Sequence, residues 1–265
     1  MQGGLIKMAK PKAHGGSVKS PLHFARFEFK YVLPAAKRKS VEADMGYFVE
    51  LDPFVANQPG QEYFVRSLYY DDPAYSCFYD KIDGMCTRSK FRVRTYPSEV
   101  NTLSPIFLEI KGRHNNLVFK HRTPIEQSNL HGENFSGIKL SEAIMKYADE
   151  SHVKSQFEYE LAKKRLSPIT LIEYKRRPYV SKFDPGFRVT FDHKLTATQT
   201  DCLFPDERSI AMKVIAGYTV IEVKFMHHLP SWFHRLIQVH ELKRVSISKI
   251  CIGMEKLGLA TDENG

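Results

Sequence analysis

The sequence predicts an α+β protein: an antiparallel β-barrel that forms a tunnel with a charged lumen, with helices packed on its outside. Three observations point there. Short stretches recur in which ionisable and large apolar side chains alternate, as in "FEFK", "FRVR", "LEIK", "FKHR", "FRVTFD" and "IEVKF". A period of two belongs to an extended strand whose two faces meet different surroundings. Stretches with helical spacing fall between them, and no fixed repeat or linker divides the 265 residues, a length that one barrel fills. One domain is therefore expected over residues 22–265. It follows a flexible basic tail, residues 1–21, rich in Lys, Gly and Pro and without periodicity.

The elements follow in order. "LHFARFEFKYVL" (22–33) puts Arg26, Glu28 and Lys30 on one face and Phe27, Phe29 and Tyr31 on the other, which is a strand. Pro34 opens a helical stretch in which Val41, Met45, Phe48 and Val49 recur, and Pro53 closes it. "EYFVRSLYYDD" (62–72) is the second strand, and the short helix after it stops at Gly84. "SKFRVRTY" (89–96) is the third, with Arg92 and Arg94 on one face. "PIFLEIKGR" places Glu109 opposite Leu108 and Ile110 and beside Lys111, and Gly112 to Asn116 reads as a turn into "LVFKHRTPI", which carries Lys120 and Arg122. Residues 139–166 are helical and belong on the outside of the sheet. "ITLIEYKRRPYV", "GFRVTFDHKL" and "YTVIEVKFMH" are three more strands, bearing Tyr174 with Arg176, Arg188 with Asp192, and Glu222 with Lys224. A helix around "SWFHRLIQVHEL" follows, and "VSISKICIGMEKLGL" begins extended and turns helical.

Two architectures fit the alternation. In an open sheet the charged face would be solvated, as half-buried antiparallel strands commonly are. In a closed sheet it would face inward. Recurrence favours closure, because Arg and Lys dominate at i, i+2 positions with single glutamates beside them. A lumen so lined needs a polyanion. Two like charges about 4 Å apart at an effective dielectric near 20 repel by about 4 kcal/mol. Phosphate chains suit it, since their oxygens accept bidentate bonds from Arg and charge-assisted bonds from Lys. Glutamates there would repel phosphate unless they carry a divalent metal, which makes Glu28, Glu109 and Glu222 candidate ligands. Their other role is to neutralise neighbouring cations. The two roles stand level for Glu109, and ligation is favoured for Glu222.

The totals agree with an anionic partner. Thirty-nine Lys and Arg against 30 Asp and Glu give a net charge of +9. Cys77, Cys86, Cys202 and Cys251 have neither zinc-type nor C-x-x-C spacing and read as free thiols of a reducing compartment. No apolar run reaches the roughly 18 residues of a membrane span and no secretory h-region is present, so a cytoplasmic location is expected. The phosphate-binding loop, dinucleotide and G-x-S-x-G motifs are absent. His227, His228, His234 and His240 lack H-E-x-x-H spacing and read as surface or core groups, and Trp232 as core. A specific nucleic-acid partner is disfavoured, because base stacking needs aromatics on the cationic face and here they alternate onto the opposite one.

At these residues the sequence resembles the VTC domain, the catalytic domain of polyphosphate polymerases, within the CYTH superfamily of triphosphate tunnel metalloenzymes. The resemblance runs from "RFEFKYVL" to "SISKICIG" and lies in the order of short motifs. The family's first-strand Lys is matched by Lys30, its R-x-R strand by Arg92 and Arg94, and its E-x-K strand by Glu109 and Lys111. The next basic pair is matched by Lys120 and Arg122, the Tyr-x-Arg strand by Tyr174 and Arg176, and a further Arg strand by Arg188. Glu222 resembles the metal-binding glutamate, and Ser248 with Lys249 the final Ser-Lys. The E-x-E-x-K signature of the hydrolytic and cyclase branches is broken by Arg26 in "RFEFK", which favours the VTC branch.

The resemblance implies an enzyme that moves the terminal phosphoryl group of ATP onto a growing polyphosphate chain. Arg92, Arg94, Lys111, Arg176 and Arg188 would hold the triphosphate. Lys30, Lys120, Arg122 and Lys249 would hold the triphosphate or the emerging chain. Glu222 would bind Mn²⁺ or Mg²⁺, with Glu109 and Glu28 in support. A hydrolase of triphosphate or polyphosphate, and a non-catalytic polyphosphate sensor, would use the same lumen.

Overall fold

The computed structural model describes residues 24–96, 104–115, 117–126, 130 and 135–262. The tail expected over residues 1–21 lies outside them. In chain order the first half comprises β1 (Phe24–Pro34), α1 (Arg38–Met45), β2 (Val49–Leu51), α2 (Pro53–Ala56), β3 (Tyr63–Asp71), α3 (Ser76–Ile82), β4 (Thr87–Thr95), β5 (Ile106–His114) and β6 (Leu117–Ile125). The second comprises α4 (Gly137–Tyr147), α5 (His152–Lys164), β7 (Ser167–Ser181), β8 (Arg188–Gln199), β9 (Met212–Lys213), β10 (Tyr218–Phe225), α6 (Ser231–Val239) and α7 (Lys249–Lys256).

The strands run β2-β7-β3-β4-β5-β6-β1-β10-β8-β9, and a further β7–β8 pairing joins the two ends. Eight strands thus form a closed antiparallel ring, while the short β2 and β9 flank it. Closure leaves no edge among the eight and commits each to an inside and an outside. The outer face is apolar. Leu68, Phe91, Val93, Leu108 and Ile110 pack under Leu140 and Ile144 of α4 and Phe157 of α5. On the opposite side Tyr31, Phe191, Ile221 and Val223 pack under Val41 and Met45 of α1 and Phe233 and Leu236 of α6. Each such side chain taken from water contributes about 1.5–3 kcal/mol, so apolar packing holds the ring from without. α7 lies elsewhere. Its Ile250, Cys251 and Met254 cluster with Val65, Tyr69 and Tyr174, three residues that also line the interior cavity, and Lys249 and Ile250 join that lining.

Most elements stand where periodicity puts them, with three local differences. The helical stretch expected up to Pro53 stops at Met45, and Val49–Leu51 pairs with Tyr179–Ser181 as β2. Gly112 is not in a turn: β5 continues to His114, and the reversal falls at Asn115, whose φ is 51°. Gly112 is instead the place where the Phe119 ring crosses β5, and a Cβ there would lie 1.9 Å from that ring. α6 ends at Val239 rather than Leu242, and His240 beyond it pairs with Asp44 at 2.7 Å. The four cysteines are unpaired. Among the described residues no helix is long and apolar enough to cross a membrane.

Candidate active site: a cationic tunnel

Alternation along the ring strands sends every second side chain inward, and these enclose a cavity of about 660 Å³. Among the described residues, sixteen lysines and arginines line it, against two glutamates, Glu28 and Glu222. Of the residues singled out from the sequence, Glu109 alone is missing from the lining; the others, from Lys30 on β1 to Lys249 on α7, come together there.

On the wall built by β4, β5 and β6, Glu109 is fully buried behind the cations. Register sets Glu109 between Arg92 and Arg122 on the neighbouring strands. Arg92 Nε donates to Glu109 Oε2 at 2.8 Å, and Lys120 Nζ lies 2.5 Å from Oε1. Arg94 Nη1 stands 3.8 Å away and donates through Nε to the Ser67 hydroxyl at 3.0 Å. Burial opposes the charge on Glu109, yet Arg92, Arg94 and Lys120 outweigh it and hold the carboxyl well below its usual range. Glu109 does not line the cavity; its Oε2 accepts from Arg92 and its Oε1 is ion-paired with Lys120, so it neutralises two lining cations. Burial, with help from Arg94 and Arg92, outweighs Glu109 and brings Lys120 down to about 7. Tyr69 accepts from Arg92 Nη1 at 2.8 Å. Burial would raise its phenol, but Arg92, Arg94 and Lys111 bring it down to about 8.

On the wall built by β1, β10, β8 and β7 the two glutamates reach the cavity. Glu28 faces Lys224 and Lys30 faces Glu222 across the β1–β10 pair, so the two glutamates are diagonal neighbours. Lys111 Nζ donates to Glu28 at 2.9 Å, and Lys30 Nζ lies 3.4 Å from it. Burial and the Glu222 charge both oppose ionisation of Glu28, but Lys111, Lys30 and Lys224 hold it at about 2. Glu222 has Lys224 at 2.5 Å, Lys249 at 3.3 Å and Arg176 at 3.4 Å. Against burial these cations keep its carboxyl ionised, well below its usual range. Lys224 itself is lowered to about 8, chiefly by burial.

Sequence reasoning missed Asp192 as a site member. It takes a bidentate fork from Arg176, at 2.6 and 2.7 Å, and an ion pair from Lys249 at 2.6 Å. It is to Arg176 what Glu109 is to Arg92, and its signal was its inward position on the Arg188 strand. Arg26, Arg88, Lys90 and Lys224 also line the cavity without having been singled out, although each sits two residues from another inward charge. The segment 244–248 lines it too, held by Lys30 Nζ donating to the Ile247 carbonyl at 2.9 Å. Arg188 pairs with Asp52, the N-cap of α2.

The donor set can be weighed for a metal. Among the described residues no three His, Cys, Asp or Glu side chains are arranged as an ion site. Two cavity-facing carboxylates, Glu28 and Glu222, fit the other common arrangement for Mg²⁺ or Mn²⁺, in which one or two carboxylates share the ion with substrate phosphates.

A closed antiparallel ring with helices packed on it and a cationic lumen holding two glutamates defines a tunnel suited to a polyanion. The VTC domain matches residues 25–258. The chain belongs to the VTC domain family. Among solved structures, a candidate adenylate cyclase from Bacillus halodurans is similar in fold, with a TM-score of 0.52 at 10% identity over 84% of this chain and 94% of that one. A Hippeastrum protein described as an adenylyl cyclase with a dominant triphosphatase activity gives a TM-score of 0.46 at 10% identity, over 87% of this chain and 95% of that one. No curated protein matches the sequence significantly.

Proposed function

We propose that this protein is a polyphosphate polymerase that transfers the terminal phosphoryl group of ATP to the end of a polyphosphate chain lying in the tunnel. The observation that carries the reading is the cavity itself: among the described residues, sixteen Lys and Arg side chains line one space of about 660 Å³ with two glutamates among them. The lining cations outnumber the carboxylates that pair with them, and a densely charged anion would compensate the excess. Membership of the VTC domain family supports phosphate chains as that anion.

In the transfer, the bond from the terminal phosphorus to its bridging oxygen breaks and ADP leaves with that oxygen. An end oxygen of the chain forms the new bond. The protein need supply little covalent chemistry, only in-line positioning and charge stabilisation. Arg92 and Arg94, held in place by Glu109 and Ser67, offer fixed guanidinium donors for the equatorial oxygens. Arg176, fixed by Asp192, does so from the opposite wall, with Lys111 and Arg188 on the same triphosphate. Lys30, Lys120, Arg122 and Lys249 serve the triphosphate or the chain, Tyr174 and Ser248 complete the binding set, and Glu28 and Glu222 would hold Mn²⁺ or Mg²⁺. Such an ion, when bound, neutralises charge on the phosphate oxygens.

The test is incubation of the purified protein with ATP and Mn²⁺, with products resolved by chain length. A ladder of phosphate chains matched by ADP is expected. Free phosphate without chains would replace the polymerase by a tunnel hydrolase, and tight polyphosphate binding without turnover would leave a sensor.

A further inference from the structure

The lumen is not lined by charge alone. Tyr63 and Tyr96 are on its wall, and they belong to a row of four rings. Phe54 meets Tyr63 edge-on at 5.4 Å, Tyr63 meets Tyr96 at 5.8 Å, and Tyr96 meets Phe107 at 6.5 Å. The row starts in solvent, for Phe54 is 60% exposed. It ends under charge, with the Arg122 guanidinium 4.5 Å from the Phe107 ring centre. A large exposed ring is commonplace when it is free to move, but Phe54 is held. Pro53 starts α2, the Asp52 side chain accepts from Phe54 N at 3.0 Å, and the Asp52 backbone N–H donates to the Pro178 carbonyl at 3.1 Å. The other carboxylate oxygen of Asp52 pairs with Arg188 on the cavity wall. The same residue therefore caps the helix that carries an exposed aromatic ring and pairs with an arginine of the cavity wall.

We infer that this row is a nucleobase platform, on which the base of a nucleoside triphosphate stacks at the tunnel mouth while its phosphates enter among Arg94, Arg176 and Arg188. The inference rests on the ATP reading of the cavity and adds to it the residues that would hold the base. Inorganic phosphate chains have no ring to stack and no use for the row. Every base has a π-face that an aromatic side chain can take, so stacking selects nucleotides over inorganic phosphates without selecting strongly among bases. Tyr63 strengthens the assignment. Burial pushes its phenol up to about 12 against the pull of Arg176, so its hydroxyl stays a neutral donor for a ribose or phosphate oxygen.

The experiment is calorimetric titration of wild type, Phe54→Ala and Tyr96→Leu with β,γ-imido-ATP and with inorganic tripolyphosphate, in EDTA and again with Mg²⁺. Wild type should bind the nucleotide on the order of tenfold more tightly than tripolyphosphate, the equivalent of one stacked base. Both variants should lose that preference by weakening the nucleotide alone. An equal loss for both ligands, or no preference in wild type, overturns the base platform and leaves the tunnel reading intact. Absence of binding by either ligand in either buffer overturns the tunnel reading and the platform with it.

Discussion

The two walls of the lumen solve one problem differently. On the β4–β5–β6 wall the carboxylate lies behind the cations: Glu109 is sealed from the cavity and anchors Arg92 and Lys120. On the β1–β10 wall Glu28 and Glu222 stand in the cavity among their lysines. Both arrangements neutralise cations, but only the second offers oxygen atoms to something that enters. An acidic residue on an inward strand face is thus either an internal counter-ion that aims arginines or an open ligand, and depth separates the two.

Removing a lumen arginine should produce the largest effect. Arg94→Ala is expected to lower turnover of triphosphate by about 10²-fold or more, as loss of one preorganised donor does. Circular dichroism should be unchanged, because Arg92 and Lys120 still neutralise Glu109. A folded variant with normal turnover would remove that wall from the chemistry. Next comes the sealed carboxylate. Glu109→Gln leaves Arg92 and Lys120 without their counter-ion and should cost about 3–5 kcal/mol in urea unfolding. Glu222→Gln should cost clearly less, since Asp192 still holds Arg176 and Lys249, while the Mn²⁺ concentration for half-maximal activity rises on the order of tenfold. Equal stability losses in the two variants, or an unmoved metal titration, would erase the distinction between the walls.

The smallest effect is protonic. Burial holds Lys120 at about 7 and Lys224 at about 8 in the unliganded lumen. An entering polyanion favours their charged forms and raises both values. Binding therefore takes up protons, and affinity falls as pH climbs from the unliganded value towards the liganded one; below about 7 both lysines are charged in either state and the linkage vanishes. Titration at pH 7.5 in two buffers of different ionisation enthalpy should show uptake of a fraction of a proton. Release, or no exchange, would mean that the polyanion does not reach these lysines.

Much of this was legible in advance because strand alternation is a local code. "SKFRVRTY" and "PIFLEIKGR" show which side chains share a face, and the recurrence of cations on that face called for an anionic partner. A glycine such as Gly112 marks reversals and close approaches alike, and only the position of Phe119 tells which. Asp192 was passed over because a lone acid on a strand does not reveal which arginine will face it across the ring. The aromatic row was invisible for the same reason, since Phe54, Tyr63, Tyr96 and Phe107 come from separate segments of the chain.

By itself the sequence determined the antiparallel strands, the inward charge and the outer apolar coat, all of which follow from the two-residue period and the wish of apolar surface to leave water. Tertiary structure alone decided that β7 pairs with β8 to shut the ring, that Glu109 lies behind the wall while Glu222 faces the cavity, and that α7 brings Lys249 to the lining. Closure and depth depend on shear, tilt and long-range register, and these are properties of how strands far apart in the chain meet.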